Sequence, residues 1–135
     1  MSKQKINNSC SEMEISMNLR ECYDILNEDY NSVSERLGSD NIIYKFLKKY
    51  IDRNDYEHLD LAVKEKNWKE AFIIAHNMKG FCLNMSFGAL AESSSELCEA
   101  LRDKDEPEQD IESMLLKIKE LYLRMEDAVR NLDIM

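Results

Sequence analysis

Turn formers are scarce in this chain. Three glycines and one proline occur in 135 residues, against averages of about 7% and 5%. So few breakers argue for long helices joined by short connections. No interior run alternates with the period of two that a half-buried strand needs, which argues against a sheet. No apolar run approaches the roughly 20 residues of a membrane span. Positive charge is also in deficit: 18 Lys and Arg stand against 27 Asp and Glu, a formal charge of −9. Such a surface repels phosphate backbones and anionic lipid, so neither nucleic acid nor a membrane surface is expected as a partner, a local basic patch aside. The first residues, "MSKQKINNSCSEMEIS", lack the apolar centre of a signal peptide, and a cytoplasmic protein is expected. Four cysteines stand at 10, 22, 82 and 98 with no Cys-x-x-Cys pair. The close-set ligands of the common zinc sites are missing, and plain thiols are expected.

What is present is helical patterning over one domain's worth of chain. Residues 1–17 read as a flexible polar tail, and residues 18–135 as one helical domain. A first helix is expected over 19–37, stopped by Gly38. Ser39 or Asp40 caps a second, with Ile43, Phe46, Leu47 and Tyr50 on one face. Asn54 and Glu57 have capping-box spacing for a third, and Asn67 and Glu70 repeat it for a fourth. The fourth runs from 68 to about 85. Ser86 is expected to cap a fifth helix with Leu90, Ser94, Leu97 and Leu101 on its inner face. Pro107 suits the first turn of a sixth. The stripe Ile111, Met114, Leu115, Ile118, Leu121, Tyr122, Met125 and Val129 then faces the core. Long amphipathic helices with short links pack as antiparallel neighbours.

The fourth helix carries "AHNMKGFCLNM", residues 75–85. It holds one of two histidines, and a glycine that costs about 1 kcal/mol relative to alanine in a helix interior. On a helical wheel with Ala71 at zero, Ala75, Met78, Cys82 and Met85 fall within about 40° and form the core stripe. His76 falls about 140° away and Gly80 about 180° away, both on the outer side. Lys79 lies one turn from His76. Phe72 and Leu83 are apolar on this outer side, which suggests a surface that another protein covers. Imidazole is largely neutral near pH 7, so a ring nitrogen is available as a nucleophile. A phosphoryl group on it would bring about two negative charges, which Lys79 could offset. Gly80 would leave room for a partner's active site. A lone surface histidine is commonly inert, and His-x-x-Lys-Gly is short. The placement on a long amphipathic helix, off the core stripe, is what singles it out. His58, in "DYEHLDL", has no motif around it and reads as an ordinary histidine.

At "AHNMKGFCLNMSFGALAESSSELCEALR", residues 75–102, the sequence resembles the histidine-containing phosphotransfer (HPt) domain. Ala75, His76, Lys79 and Gly80 match the family pattern, with Met78 for its leucine; Asn84 and Leu90 match as well. The helical lead-in over residues 36–80 is similar too, and the likeness covers about residues 19–130. The resemblance implies an all-α, up-down antiparallel four-helix bundle with one or two additional N-terminal helices. It implies a phosphorelay intermediate rather than an enzyme: His76 accepts a phosphoryl group from a receiver-domain aspartate or hybrid sensor histidine kinase and passes it to another response regulator receiver. Lys79 steadies the group and Gly80 gives clearance. Phe72, Asn77, Phe81 and Leu83 belong to, or border, the docking surface. No cofactor or metal site is implied on this chain, since Mg²⁺ sits on the receiver domain. A monomer is expected.

The chain departs from the pattern in three places. Ser86 replaces a frequent glycine, "FCL" at 81–83 is bulkier than usual, and Cys98 stands near a polar residue that orients the histidine in some members. Glu99 or a water would then take over that orienting role. A complete histidine kinase is excluded by length and by the want of Gly-rich and Asn-containing ATP boxes. A metal bundle needs inward ligand pairs that are missing. A helical adaptor that binds receiver or kinase domains without phosphotransfer stays as the alternative.

Overall fold

The computed structural model describes residues 17–132; the expected polar tail and the last three residues lie outside the described residues, apart from Met17. The described chain is all-helical. Its helices are α1 (Leu19–Ile25), α2 (Tyr30–Leu37), α3 (Asp40–Arg53), α4 (Asp55–Lys64), α5 (Trp68–Asn84), α6 (Gly88–Leu101) and α7 (Ile111–Arg130). No helix among them is long and apolar enough to cross a membrane.

Side-chain caps mark the starts of α1, α2, α3, α5 and α7. Asn18 and Glu21 form a reciprocal capping box on α1, which satisfies two otherwise orphaned amides. Ser39 caps α3 by accepting from the Asn41 amide, and Asn67 caps α5 by accepting from the Glu70 amide. Gly38 follows α2 at φ +85°, a conformation glycine adopts without a Cβ clash.

Five expectations need correction. The single helix over 19–37 is broken: Asn27 turns into the left-handed region at φ 58° and Asp29 starts α2 by accepting from the Asn31 amide. Asparagine tolerates that conformation better than most residues. Phe46 is 42% exposed and Ile51 is buried in its stead, because the inner face of α3 is Ile43, Leu47, Tyr50 and Ile51. Asn54 makes no side-chain cap; it is left-handed, joining α3 directly to α4. Ser86 does not cap α6. It adopts φ 62° in the α5–α6 turn, and Phe87 is the N-cap residue, with no side-chain bond of its own. Pro107 lies before α7, which begins at Ile111 under an Asp110 cap.

Helix packing follows the apolar stripes. α5 and α6 share the most extensive interface, α4 packs on α5, α6 on α7, and α4 also meets α7. Ala71, Ala75, Met78 and Cys82 of α5 and Leu90, Ser94, Leu97 and Leu101 of α6 are buried. In the α7 stripe Ile111, Leu115, Ile118, Tyr122, Met125 and Val129 are buried, while Met114 and Leu121, at its edges, are only partly so. α1, α2 and α3 close over the remaining apolar surface, α1 and α3 against α7.

The α5–α6 turn is held from the amino-terminal side. The Tyr23 hydroxyl donates to the Met85 carbonyl at 2.7 Å. Arg36 donates to the carbonyls of Leu83 and Asn84 and to the Ser86 hydroxyl, at 3.2, 2.8 and 2.8 Å. The Glu28 carboxylate accepts from the Gly88 and Ala89 amides at 3.0 and 3.1 Å. A carboxylate at a helix N-terminus satisfies orphan donors and meets the positive end of the helix dipole.

Two consequences can be measured. Glu28→Ala should lower stability by about 1–2 kcal/mol, the usual range for losing an N-terminal cap. An unchanged urea midpoint would show that α6 is capped by other means. Second, burial pushes the Cys22 and Cys82 thiols up to about 12 and raises Tyr23, Tyr50 and Tyr122 above the usual tyrosine range. The unfolded chain releases these protons from about pH 9 upward while the folded chain keeps them, so stability falls with rising pH. A loss of about 2–4 kcal/mol between pH 8 and pH 10 is expected in reducing urea titrations. A flat profile there would contradict the burial.

Candidate functional site

α5 presents two stripes of opposite character. The inner one carries Ala71, Ala75, Met78, Cys82 and, at its cap, Met85, all buried, as the wheel requires. The outer one carries His76, Asn77 and Gly80, all exposed, with Leu83 54% exposed. His58 is also exposed, one helix away on α4.

Around His76 the side chains are ordered in a row. The Phe72 ring lies one turn back, nearly parallel to the imidazole at 16° with centroids 6.1 Å apart. The Arg102 guanidinium, at the end of α6, stands 5.1 Å from the Phe72 centroid, within cation–π range. Arg102 is fixed by Glu99, whose carboxylate accepts from its Nε and Nη2 at 3.2 and 3.0 Å. That hydrogen bond, and then the guanidinium charge, hold the Glu99 carboxyl below its ordinary range.

Lys79 is half-buried, on the α6 side of the stripe. It lines a groove with Leu83, Glu92, Glu96, Glu99 and Met114, and its charge is felt by Glu99 and Cys98. It forms no ion pair among the described residues. Its ammonium is therefore free to turn toward an added anion at the surface. Cys98 is buried, and burial pushes its thiol up. Glu99 is committed to Arg102.

The flanking residues differ in how firmly they are held. Asn77 shares a recess with Arg53, Asp55, Ile74 and Phe81. Phe81 is only partly exposed: its ring stacks on Tyr50 of α3 at 3.9 Å and 13°, with the Arg53 guanidinium 5.9 Å from its centroid. The bulk at this position is thus tied to α3 and serves packing as well as bordering the outer face. Beneath it, the buried hydroxyls of Tyr50 and Tyr122 have no full hydrogen-bond partner among the described residues. Tyr50 lies beside the Cys82 thiol, a weak partner.

The outer face holds residues that the sequence reading left out. Ile73 is 47% exposed and falls about 60° from His76 on the same wheel; Lys69, also exposed, falls about 20° from it. Both were legible from the angles. Arg102 was not, because only the α5–α6 packing brings it to Phe72. The resulting face combines Ile73, Phe72 and Leu83 with the cations Lys69, Lys79 and Arg102.

The chain matches no protein-family model, no curated protein and no solved structure. Among the described residues no cluster of three or more His, Cys, Asp or Glu could hold a metal ion.

Gly80 has no role in the fold that geometry reveals. A Cβ built there meets nothing within 4 Å. Gly80→Ala should therefore raise stability by about 1 kcal/mol, the helix-propensity difference. Calorimetry showing a lower melting temperature would mean that the glycine is needed by the fold.

Proposed function

We propose that this protein is a histidine phosphotransfer module of a phosphorelay, with His76 as the phospho-accepting residue. The observation that carries the reading is the exposure of His76, one turn from a helical glycine that the fold itself does not require. The motif residues Ala75, His76, Lys79 and Gly80 give the reading its chemistry. The ring of neighbours α4, α5, α6 and α7 supports an up-down antiparallel four-helix arrangement, with the earlier helices as additions.

In the proposed reaction a neutral imidazole nitrogen attacks the phosphorus of a receiver's aspartyl phosphate. The P–N bond forms as the P–O bond to the aspartate breaks, and the free carboxylate leaves with the electron pair. Mg²⁺ and the carboxylates that bind it belong to the receiver. This chain supplies the nucleophile, a cation and an open approach. Lys79 offsets the charge of the bound group, as phosphoryl transfer rests on positioning and electrostatics. Gly80 keeps side-chain bulk off the face that the receiver must reach. Phe72, Ile73 and Leu83 offer apolar contact, with Asn77 and Phe81 at the border. The chain has no turnover of its own; its partners are response regulator receivers and a hybrid sensor histidine kinase in the cytoplasm, which it meets as a monomer.

The test is transfer in solution from a phosphorylated receiver domain with Mg²⁺. Acid-labile, base-stable phosphate should appear on the protein and be lost in His76→Gln, whose helicity and melting temperature should stay near those of the parent. Gly80→Gln should fold normally but accept the group at least tenfold more slowly from the receiver. Absence of label from several receivers would leave a helical adaptor as the function.

A further inference from the structure

We infer that Phe72 is a positioning residue that fixes the orientation of the His76 imidazole through ring stacking, and that Glu99 and Arg102 hold Phe72 in place from the neighbouring helix. The inference rests on the proposed role of His76 as phospho-acceptor.

The His76 ring makes no hydrogen bond or ion pair among the described residues. An exposed side chain without partners samples several rotamers. A nucleophile in that state reacts only from the fraction of time it points correctly, whereas a held one reacts from a near-attack geometry. The polar orienting residue sought at position 98 is a buried cysteine. Glu99, the other candidate, is bound to Arg102 by two contacts at 3.2 and 3.0 Å. What does touch the imidazole is Phe72, nearly parallel at 16° and 6.1 Å between centroids. That separation lies in the range of productive aromatic pairs.

Phe72 is itself restrained. It is half-buried, and the Arg102 guanidinium stands 5.1 Å from its ring centroid. The sequence Glu99, Arg102, Phe72, His76 is a continuous ladder from α6 to α5. Its carboxylate end fixes the guanidinium, the guanidinium fixes the ring, and the ring limits the plane of the imidazole.

The experiment uses phosphoramidate as a small phosphoryl donor, so that receiver docking plays no part. Phe72→Leu keeps apolar bulk and removes the ring; Phe72→Tyr keeps the ring. Phe72→Leu should slow phosphorylation about three- to tenfold, the worth of one aromatic pair, and should shift the imidazole carbon-bound proton resonances by removing the ring current. Phe72→Tyr should restore both. Arg102→Gln should slow the reaction less than Phe72→Leu does. A phosphorylation rate unchanged in Phe72→Leu overturns the inference, even where the resonances move. Should the parent protein accept no phosphate from phosphoramidate or receivers, the phosphotransfer reading falls by itself. The resonances then decide the stack alone: if they are unmoved in Phe72→Leu, it is overturned as well.

Discussion

The clasp on the α5–α6 turn is the constraint on which the rest of the molecule depends. Residues 83–89 run from one long helix into the next through a non-glycine residue at positive φ, Ser86. That conformation is unfavourable for a side chain with a Cβ. It persists because Tyr23, Glu28 and Arg36 between them engage the carbonyls of Leu83, Asn84 and Met85, the Ser86 hydroxyl and the first amides of α6. The charge signs agree with the helix dipoles: a guanidinium at the carboxyl end of α5 and a carboxylate at the amino end of α6. The break between α1 and α2 at Asn27 is what brings Glu28 to α6, so the amino-terminal helices do more than cover the core.

With that turn fixed, α5 and α6 are set in register, and the register decides the chemistry of the outer face. Arg102 comes level with Phe72 and Glu99 comes within electrostatic reach of Lys79 only because the two helices are paired along their length. The chain carries −9 overall, yet the face around His76 gathers Lys69, Lys79 and Arg102. These cations stand beside carboxylates: Lys79 shares its groove with Glu92, Glu96 and Glu99, and Arg102 is paired with Glu99.

Much of this was legible in residue spacing. The inner stripe of α5 and the outward position of His76 and Gly80 followed from a 100° rotation per residue, and the α7 stripe likewise. The stop at Gly38 and the Asn67 cap were local chemistry, although Glu70 does not return the bond to Asn67, and of the two candidates for α3 it is Ser39 that caps. Asn54 and Ser86 were assigned caps from local pattern, but each takes the left-handed backbone of a turn; Pro107 was assigned a first turn, but the Asp110 cap starts α7 later. Glu28 lies 60 residues from the amide it caps, and no local window contains that partnership. Phe46 followed the apolar spacing of α3 but is 42% exposed at the border of the buried face, so periodicity identified a stripe without fixing its edge. The ladder from Glu99 to His76 escaped for the same reason, since two of its members sit on a different helix.

The outer stripe of α5 is best understood by what the isolated fold would prefer. A solvent-facing helix surface gains most from alanine and from charged residues of high helix propensity. Here the same face has a glycine with open space where a Cβ would be, and Ile73 and Leu83 about half exposed. None of the three improves the monomer, and the glycine costs about as much as a single helix cap supplies. Unfavourable choices scattered over a surface would need no common explanation. These fall on one strip within about 80° of a single exposed histidine, beside an otherwise regular core stripe. What sets this strip apart is the open glycine beside the exposed histidine, since Ile25, Leu61, Leu116 and Leu123 leave apolar side chains about as exposed on other helices.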